Sequence, residues 1–183
     1  MIGTSYGALT ALHLATFRAG AVASLMLVEP PVFGWLSLIK GGDEAVDAFL
    51  RQVWRPAATL FQQREPRAAM RLLYDGMRGA RRFDLLNDSE VSRILRNALA
   101  MEKLVGSTNP FPELPWSAVR ELTMPMLLVS GAQTVPLHRL CHEAAAQVLE
   151  HAREVIIPGA GHAPANENPL AFNEALAAFL AEV

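Results

Sequence analysis

The sequence predicts an α/β fold, a parallel sheet with helices on both faces and a helical insertion between its strands. Three observations predict it. Short apolar runs, Ser24 to Val28, Met126 to Ser130 and Val155 to Ile157, have the length and composition of buried strands. Amphipathic or apolar helical patterns separate them, and strands that alternate with helices pair in parallel with both faces covered. A glycine-flanked turn, Gly3-Thr4-Ser5-Tyr6-Gly7, opens directly into the first of those helices.

Taken in order, Ala8 to Ala15 is small and aliphatic around nearly its whole circumference, as suits a helix packed on most sides. Gly20, just past Ala19, supplies its stop. The run Ser24 to Val28 is a strand closed by Glu29-Pro30-Pro31. The next section, residues 35–116, is helical and more polar. Asp43 caps a helix with Val46, Phe49, Leu50, Val53 and Trp54 on its apolar face, which Pro56 is expected to stop. Pro66 starts another, with Ala69, Met70, Leu73, Tyr74 and Met77 as its stripe. A third is expected from about Ser89 to Val105 as one piece, ended by Gly106. Asn109 to Pro115 carries three prolines and reads as a linker. Beyond it lie the strand Met126 to Ser130, a helix from about Leu137 to Glu150, the strand Val155 to Ile157 stopped by Pro158-Gly159, and a last helix capped at Asn168-Pro169. The expected divisions are therefore 1–34 and 117–183 for the core and 35–116 for a helical cap.

Composition narrows the function classes. Of 183 residues, 51% are hydrophobic and 19% charged, with a net charge of −2. That balance points away from nucleic acid and anionic surfaces. No stretch reaches the roughly 18 consecutive apolar residues of a membrane span. The single cysteine, Cys141, excludes an internal disulfide, lies in an apolar helical stretch and reads as buried filler. There is no metal-ligand spacing and no phosphate-binding glycine loop, so chemistry without metal or cofactor is expected. With no basic-then-apolar leader visible, the expected location is the cytoplasm.

The chemistry begins at Ser5. In a G-x-S-x-G turn between strand and helix, the serine takes a strained backbone conformation and its Oγ projects over the sheet, while the flanking glycines let strand and helix approach closely. The backbone N–H of Tyr6, at the helix start, can face a developing oxyanion. A serine hydroxyl needs a base near neutral pH. His13, His138, His142 and His151 all fall on helices, where packing or surface roles are expected. His162 instead lies in the irregular loop Pro158-Gly159-Ala160-Gly161-His162-Ala163-Pro164, after the last strand, where α/β sheets present functional side chains.

With these elements in hand the chain resembles the α/β-hydrolase family: the elbow at 3–7, the strand at 24–31, a helical cap, the units at 125–131 and 155–169, and the late histidine follow the family's order. The resemblance implies a Ser–acid–His triad, an active site between sheet and cap, and a small apolar-to-amphipathic substrate. The sequence departs from the family at two places. Where many members carry an acid in G-x-x-D, this chain reads Gly131-Ala132-Gln133-Thr134, and threonine cannot stabilise an imidazolium as a carboxylate does. Other branches carry the acid one strand earlier, where this sequence has Glu29; Glu29 is the candidate triad acid, against a reading as a surface or loop-anchoring residue. The family also has about five strands up to and including the one that delivers the serine, whereas only Met1 and Ile2 precede Gly3 here.

The expected function is that of a cofactor-free serine hydrolase acting on an ester, a lactone or a related carbon–carbon bond, truncated as given and weakly active or inactive by itself. Serine at the elbow speaks against the epoxide hydrolase and dehalogenase chemistries of related members, which use a carboxylate nucleophile. The alternative is a non-catalytic remnant that binds a ligand or partner. An incomplete sheet would also leave an edge open to self-association. The arginines Arg78, Arg81 and Arg82 read as a solvated face, and Trp35, Trp54 and Trp116 either line a pocket or pack the cap.

Overall fold

A computed structural model describes residues 1–18 and 20–183; Ala19, at the expected end of the first helix, lies outside the described residues. Along the chain the elements are β1 (Ile2–Thr4), α1 (Tyr6–Phe17), β2 (Leu25–Val28), a 3-10 turn (Phe33–Leu38), α2 (Gly42–Phe49), a π-helical turn (Leu50–Trp54), α3 (Arg55–Gln62), α4 (Pro66–Arg78), a short 3-10 turn (Phe83–Leu85), α5 (Asp88–Leu95), α6 (Ala98–Val105), α7 (Trp116–Arg120), β3 (Met126–Gly131), α8 (Pro136–Val148), β4 (Arg153–Ile157), α9 (Pro164–Glu167) and α10 (Pro169–Leu180). They form two compact units, Met1–Gly42 with Glu113–Val183, and Asp43–Pro112.

The first unit is built on a parallel sheet in the order β1-β2-β3-β4. The fourth strand, β1, goes beyond the three runs legible in the sequence: it has three residues, with Gly3 paired to Leu27. Side chains alternate across the pleat. On one face Met26, Val28, Leu127, Val129 and Ile157 pack with Phe172 and Phe179 of α10. Leu25, Leu27, Met126 and Leu128 point the other way and are also buried, as α1 and α8 pack on the sheet and α7 touches both. The two central strands are thus covered on both faces, the arrangement that a run of consecutive apolar residues requires, whereas Ile2 of β1 and Ile156 of β4 are exposed, so the run 155–157 is not the fully buried strand its composition suggests. In α1 the residues Ala8, Leu9, Ala11, Leu12 and Ala15 are buried, while Leu14 and Phe17 are exposed. Trp35 is buried in this unit and its indole N–H donates to the Leu114 carbonyl at 2.7 Å, whereas Trp116 is exposed with Arg120 over its ring.

The helical unit differs from the expected pattern at three points, the first being that Asp43 lies inside the first turn of α2 and does not cap it. Pro56 does not stop the chain. The π turn before it widens the ladder, so that the Arg55 N–H bonds to the Leu50 carbonyl, and Pro56 falls in the first turn of α3, where a missing N–H costs little. The expected single helix over 89–105 is two. The Asn97 N–H turns tightly onto the Ile94 carbonyl at 3.0 Å, and Asn97 leaves helical geometry with φ −92° and ψ 2°. Asparagine is a weak helix former that accepts such breaks. Asn87 starts α5 with a capping box closed by Glu90. Trp54 is buried between Phe49 and Phe111, with ring centroids 6.0 and 4.7 Å away. The guanidinium of Arg78 lies over Tyr74, and Arg81 is close to Asp84 on the surface. Among the described residues no helix is long and apolar enough to cross a membrane.

Candidate active site

The C-terminal ends of all four strands deliver the site. Ser5 follows β1, Glu29 follows β2, Ser130 and Gly131 end β3 with Thr134 just beyond, and the loop after β4 carries His162. Backbone bonds fix these ends to one another. The Ser5 N–H donates to the Val28 carbonyl at 2.8 Å, the Glu29 N–H to Val129 at 3.0 Å, and the Ala132 N–H to Ile157 at 2.9 Å. Each turn residue therefore continues the ladder of the strand beside it, and side chains far apart in sequence converge at one edge.

Ser5 has φ 51° and ψ −123°, the strained conformation expected of an elbow. Glu29, with φ 47°, is a second non-glycine residue in the left-handed region, which the sequence did not announce. Of the two elbow glycines only Gly3 is needed for a close approach: a Cβ there would lie 2.5 Å from the Gly7 carbonyl oxygen and 2.6 Å from the Ala8 Cα. A Cβ on Gly7, which is exposed, would meet nothing within 4 Å, so the expected crowding exists on one side only. Tyr6 is the first residue of α1, ahead of the N–H groups of Ala8 and Leu9 that turn back onto the Ser5 carbonyl.

One chain of hydrogen bonds links the three predicted side chains. Ser5 Oγ lies 3.0 Å from His162 Nε2, and His162 Nδ1 lies 2.7 Å from Glu29 Oε2. Glu29 is wholly buried. Three further donors hold its carboxylate: Ser130 Oγ at 2.8 Å and the Gly131 N–H at 2.9 Å on Oε1, and Thr134 Oγ1 at 2.8 Å on Oε2. Burial by itself would raise the Glu29 pKa. The hydrogen bond and the charge of His162, with the bonds from Gly131 and Ser130, outweigh it and bring the group down to about 2. Glu29 is thus ionised over the ordinary pH range, and its burial excludes the reading as a surface residue.

Sequence reasoning missed the residues around this chain. Thr134 and Ser130 donate to the carboxylate, and the only signal for Thr134 was its position at the place of an expected acid. His138, read as a packing residue on a helix, stacks on His162 with ring centroids 3.9 Å apart and planes 10° from parallel. The His162 loop is pinned at three points: Gln133 N–H to the Ala160 carbonyl at 2.7 Å, Gly161 N–H to Glu167, and the Asn168 side-chain amide to the Pro158 carbonyl at 2.9 Å. His142 instead pairs with Glu154 at 3.0 Å, and Cys141 is buried, which raises its thiol pKa far above the ordinary value.

Among the described residues, Glu29, His138 and His162 form the group whose ligand atoms, within 4.8 Å of one another, could hold a metal ion. The fit is poor. Both Glu29 oxygens and both His162 nitrogens are engaged in hydrogen bonds, and near-parallel stacked rings do not aim their in-plane lone pairs at a common point.

The sequence model of the alpha/beta hydrolase family matches residues 1–175. No curated protein matches the chain. Among solved structures, MenH from S. aureus superposes with a TM-score of 0.72 at 19% identity, over 99% of this chain and 67% of its own length. Est816, an N-acyl homoserine lactone degrading enzyme, gives 0.65 at 17% identity over 97% of this chain and 66% of its own. A thermophilic esterase gives 0.65 at 20% identity over 99% and 65%. The chain therefore spans about two thirds of the length of these structures, and at such identities the likeness is one of fold.

Proposed function

The chain belongs to the alpha/beta hydrolase family, and from that premise we propose that it carries the working residues of a serine hydrolase for an ester, a lactone or a related carbon–carbon bond, with Ser5 as nucleophile, His162 as base and Glu29 as triad acid. The observation that carries the proposal is the single hydrogen-bonded line from Ser5 Oγ through the His162 imidazole to the Glu29 carboxylate. Such a line supports nucleophilic catalysis because each member corrects a deficiency of the one before it.

In this reading Ser5 Oγ attacks the substrate carbonyl while His162 Nε2 takes the hydroxyl proton. The carbonyl oxygen becomes an oxyanion, and the Tyr6 N–H at the start of α1 donates to it. Glu29, ionised and held by four donors, fixes the Nδ1–H tautomer and stabilises the imidazolium. His162 then returns the proton to the leaving group. Water, deprotonated by the same nitrogen, cleaves the acyl-serine and restores the hydroxyl. This sequence closes its proton balance on the chain's own residues and calls for no cofactor.

The competing reading, a non-catalytic relative that binds a ligand or partner, draws on Thr134 in place of an acid. The hydroxyl of Thr134 donates to Glu29, so the departure suits a triad whose acid has moved to the neighbouring strand. The thermophilic esterase and the N-acyl homoserine lactone degrading enzyme among the structural neighbours act in the proposed bond class. The test is a panel of short-chain aryl esters and lactones with the complete protein that carries this chain, as wild type and as Ser5→Ala. Turnover that disappears in Ser5→Ala supports the proposal; turnover that survives the substitution removes it.

A further inference from the structure

We infer that His138 is a positioning residue, and that its flat ring face keeps the His162 imidazole in the plane that joins Ser5 to Glu29. The inference rests on the reading of His162 as the base and goes beyond it, since no part of that reading requires a ring at 138.

The need for such a device follows from elementary torsional physics. The terminal torsion of a histidine is broad and has little intrinsic preference, so packing and hydrogen bonds must fix the ring plane. His162 has two edge contacts, Nε2 to Ser5 Oγ at 3.0 Å and Nδ1 to Glu29 Oε2 at 2.7 Å. In the proposed reaction the first of these is given up whenever Oγ bonds to an acyl carbon. One edge bond then remains, and a ring held at one atom can still tilt. Contact over the face of the ring blocks that motion.

His138 supplies the contact. Its ring is buried on the first turns of α8 and lies 3.9 Å from the His162 ring, tilted by 10°. Thr134, four residues earlier, donates to Glu29. The segment that leads into α8 therefore steadies both ends of the acid–base pair, the carboxylate by a hydroxyl and the imidazole by a parallel face. Parallel π faces also tolerate a positive charge on one partner, so the contact persists when His162 carries the proton.

The test reads the ring directly by proton NMR of the full 183-residue chain. An Nδ1–H held against a buried carboxylate is protected from solvent exchange and resonates far downfield. Wild type is expected to show this His162 resonance, with Glu29→Gln removing it. His138→Phe, which keeps a flat face, is expected to retain it. His138→Leu, which fills similar space without a flat face, is expected to broaden or lose it while the backbone amide spectrum stays native. Retention at wild-type intensity in His138→Leu would overturn the inference and reduce His138 to packing. Loss in both variants with native backbone spectra would overturn it too, because a flat face would then not suffice. Absence of the resonance from wild type would count against the Glu29–His162 bond itself, and so against the reading on which the inference rests.

Discussion

Thr134 Oγ1 donates to Glu29 Oε2 at 2.8 Å, joining residues 105 apart in sequence. The position that lacks the expected carboxylate thus serves the carboxylate on the neighbouring strand. A buried carboxylate must have its lone pairs filled, and Ser130, Gly131, Thr134 and His162 fill those of Glu29. Thr134→Val keeps the shape and removes the donor. The expected cost is about 1.5–3 kcal/mol of stability, the usual value for a hydrogen bond to a charged group, read from urea unfolding. An unchanged midpoint would show that the hydroxyl does not help to hold Glu29.

Glu29→Gln preserves size and burial but removes the charge. If Glu29 orients and stabilises His162, ester turnover by the complete enzyme is expected to fall by about 10³–10⁴-fold, as loss of a triad acid does elsewhere. Turnover within a few-fold of wild type would leave a Ser–His pair that works without an acid.

The same group sets a pH dependence of stability. Its pKa is depressed from 4.5 to about 2 in the folded chain. The favourable contribution is therefore fully present above about pH 4.5 and is lost as pH falls towards 2, because the unfolded chain takes up the proton first. Unfolding free energies measured from pH 6 to pH 3 are expected to fall more steeply for wild type than for Glu29→Gln. Parallel curves would contradict the assignment.

Much of this was legible in the sequence, and the reasons differ by element. The elbow, the buried runs and the loop that carries His162 are local signals, in which glycine placement and hydropathy already encode the backbone. The roles of Thr134 and His138 were not legible, because a hydroxyl and an imidazole gain their meaning from partners on other strands. The continuation of the chain through Pro56 depended on a π turn, and the break at Asn97 on a tight turn back to Ile94. Neither leaves a mark in apolar periodicity.

The glycines give a paired prediction. A Cβ at Gly131 would lie 2.2 Å from the Gly161 carbonyl oxygen and 2.3 Å from that of Ala160, against backbone that cannot move without shifting His162. Gly131→Ala is expected to lose about 1–3 kcal/mol or more, with the His loop displaced. Gly7 lies within α1 with open space around it, so Gly7→Ala is expected to be neutral or to gain up to about 1 kcal/mol. Thermal unfolding of the two variants side by side checks the contrast, and equal destabilisation would contradict the geometry at the elbow.

The central claim is that Ser5, His162 and Glu29 act as one nucleophilic unit, and covalent labelling tests it most directly. A fluorophosphonate reacts with an activated serine hydroxyl and with few others, and mass spectrometry locates the adduct. The expected result is a single adduct on the peptide containing Ser5, none in Ser5→Ala, and labelling slowed by at least about 10²-fold in His162→Ala, since the hydroxyl depends on its base. A complete wild-type protein that takes no label at Ser5, or a His162→Ala variant of it that labels as fast as wild type, would contradict the account.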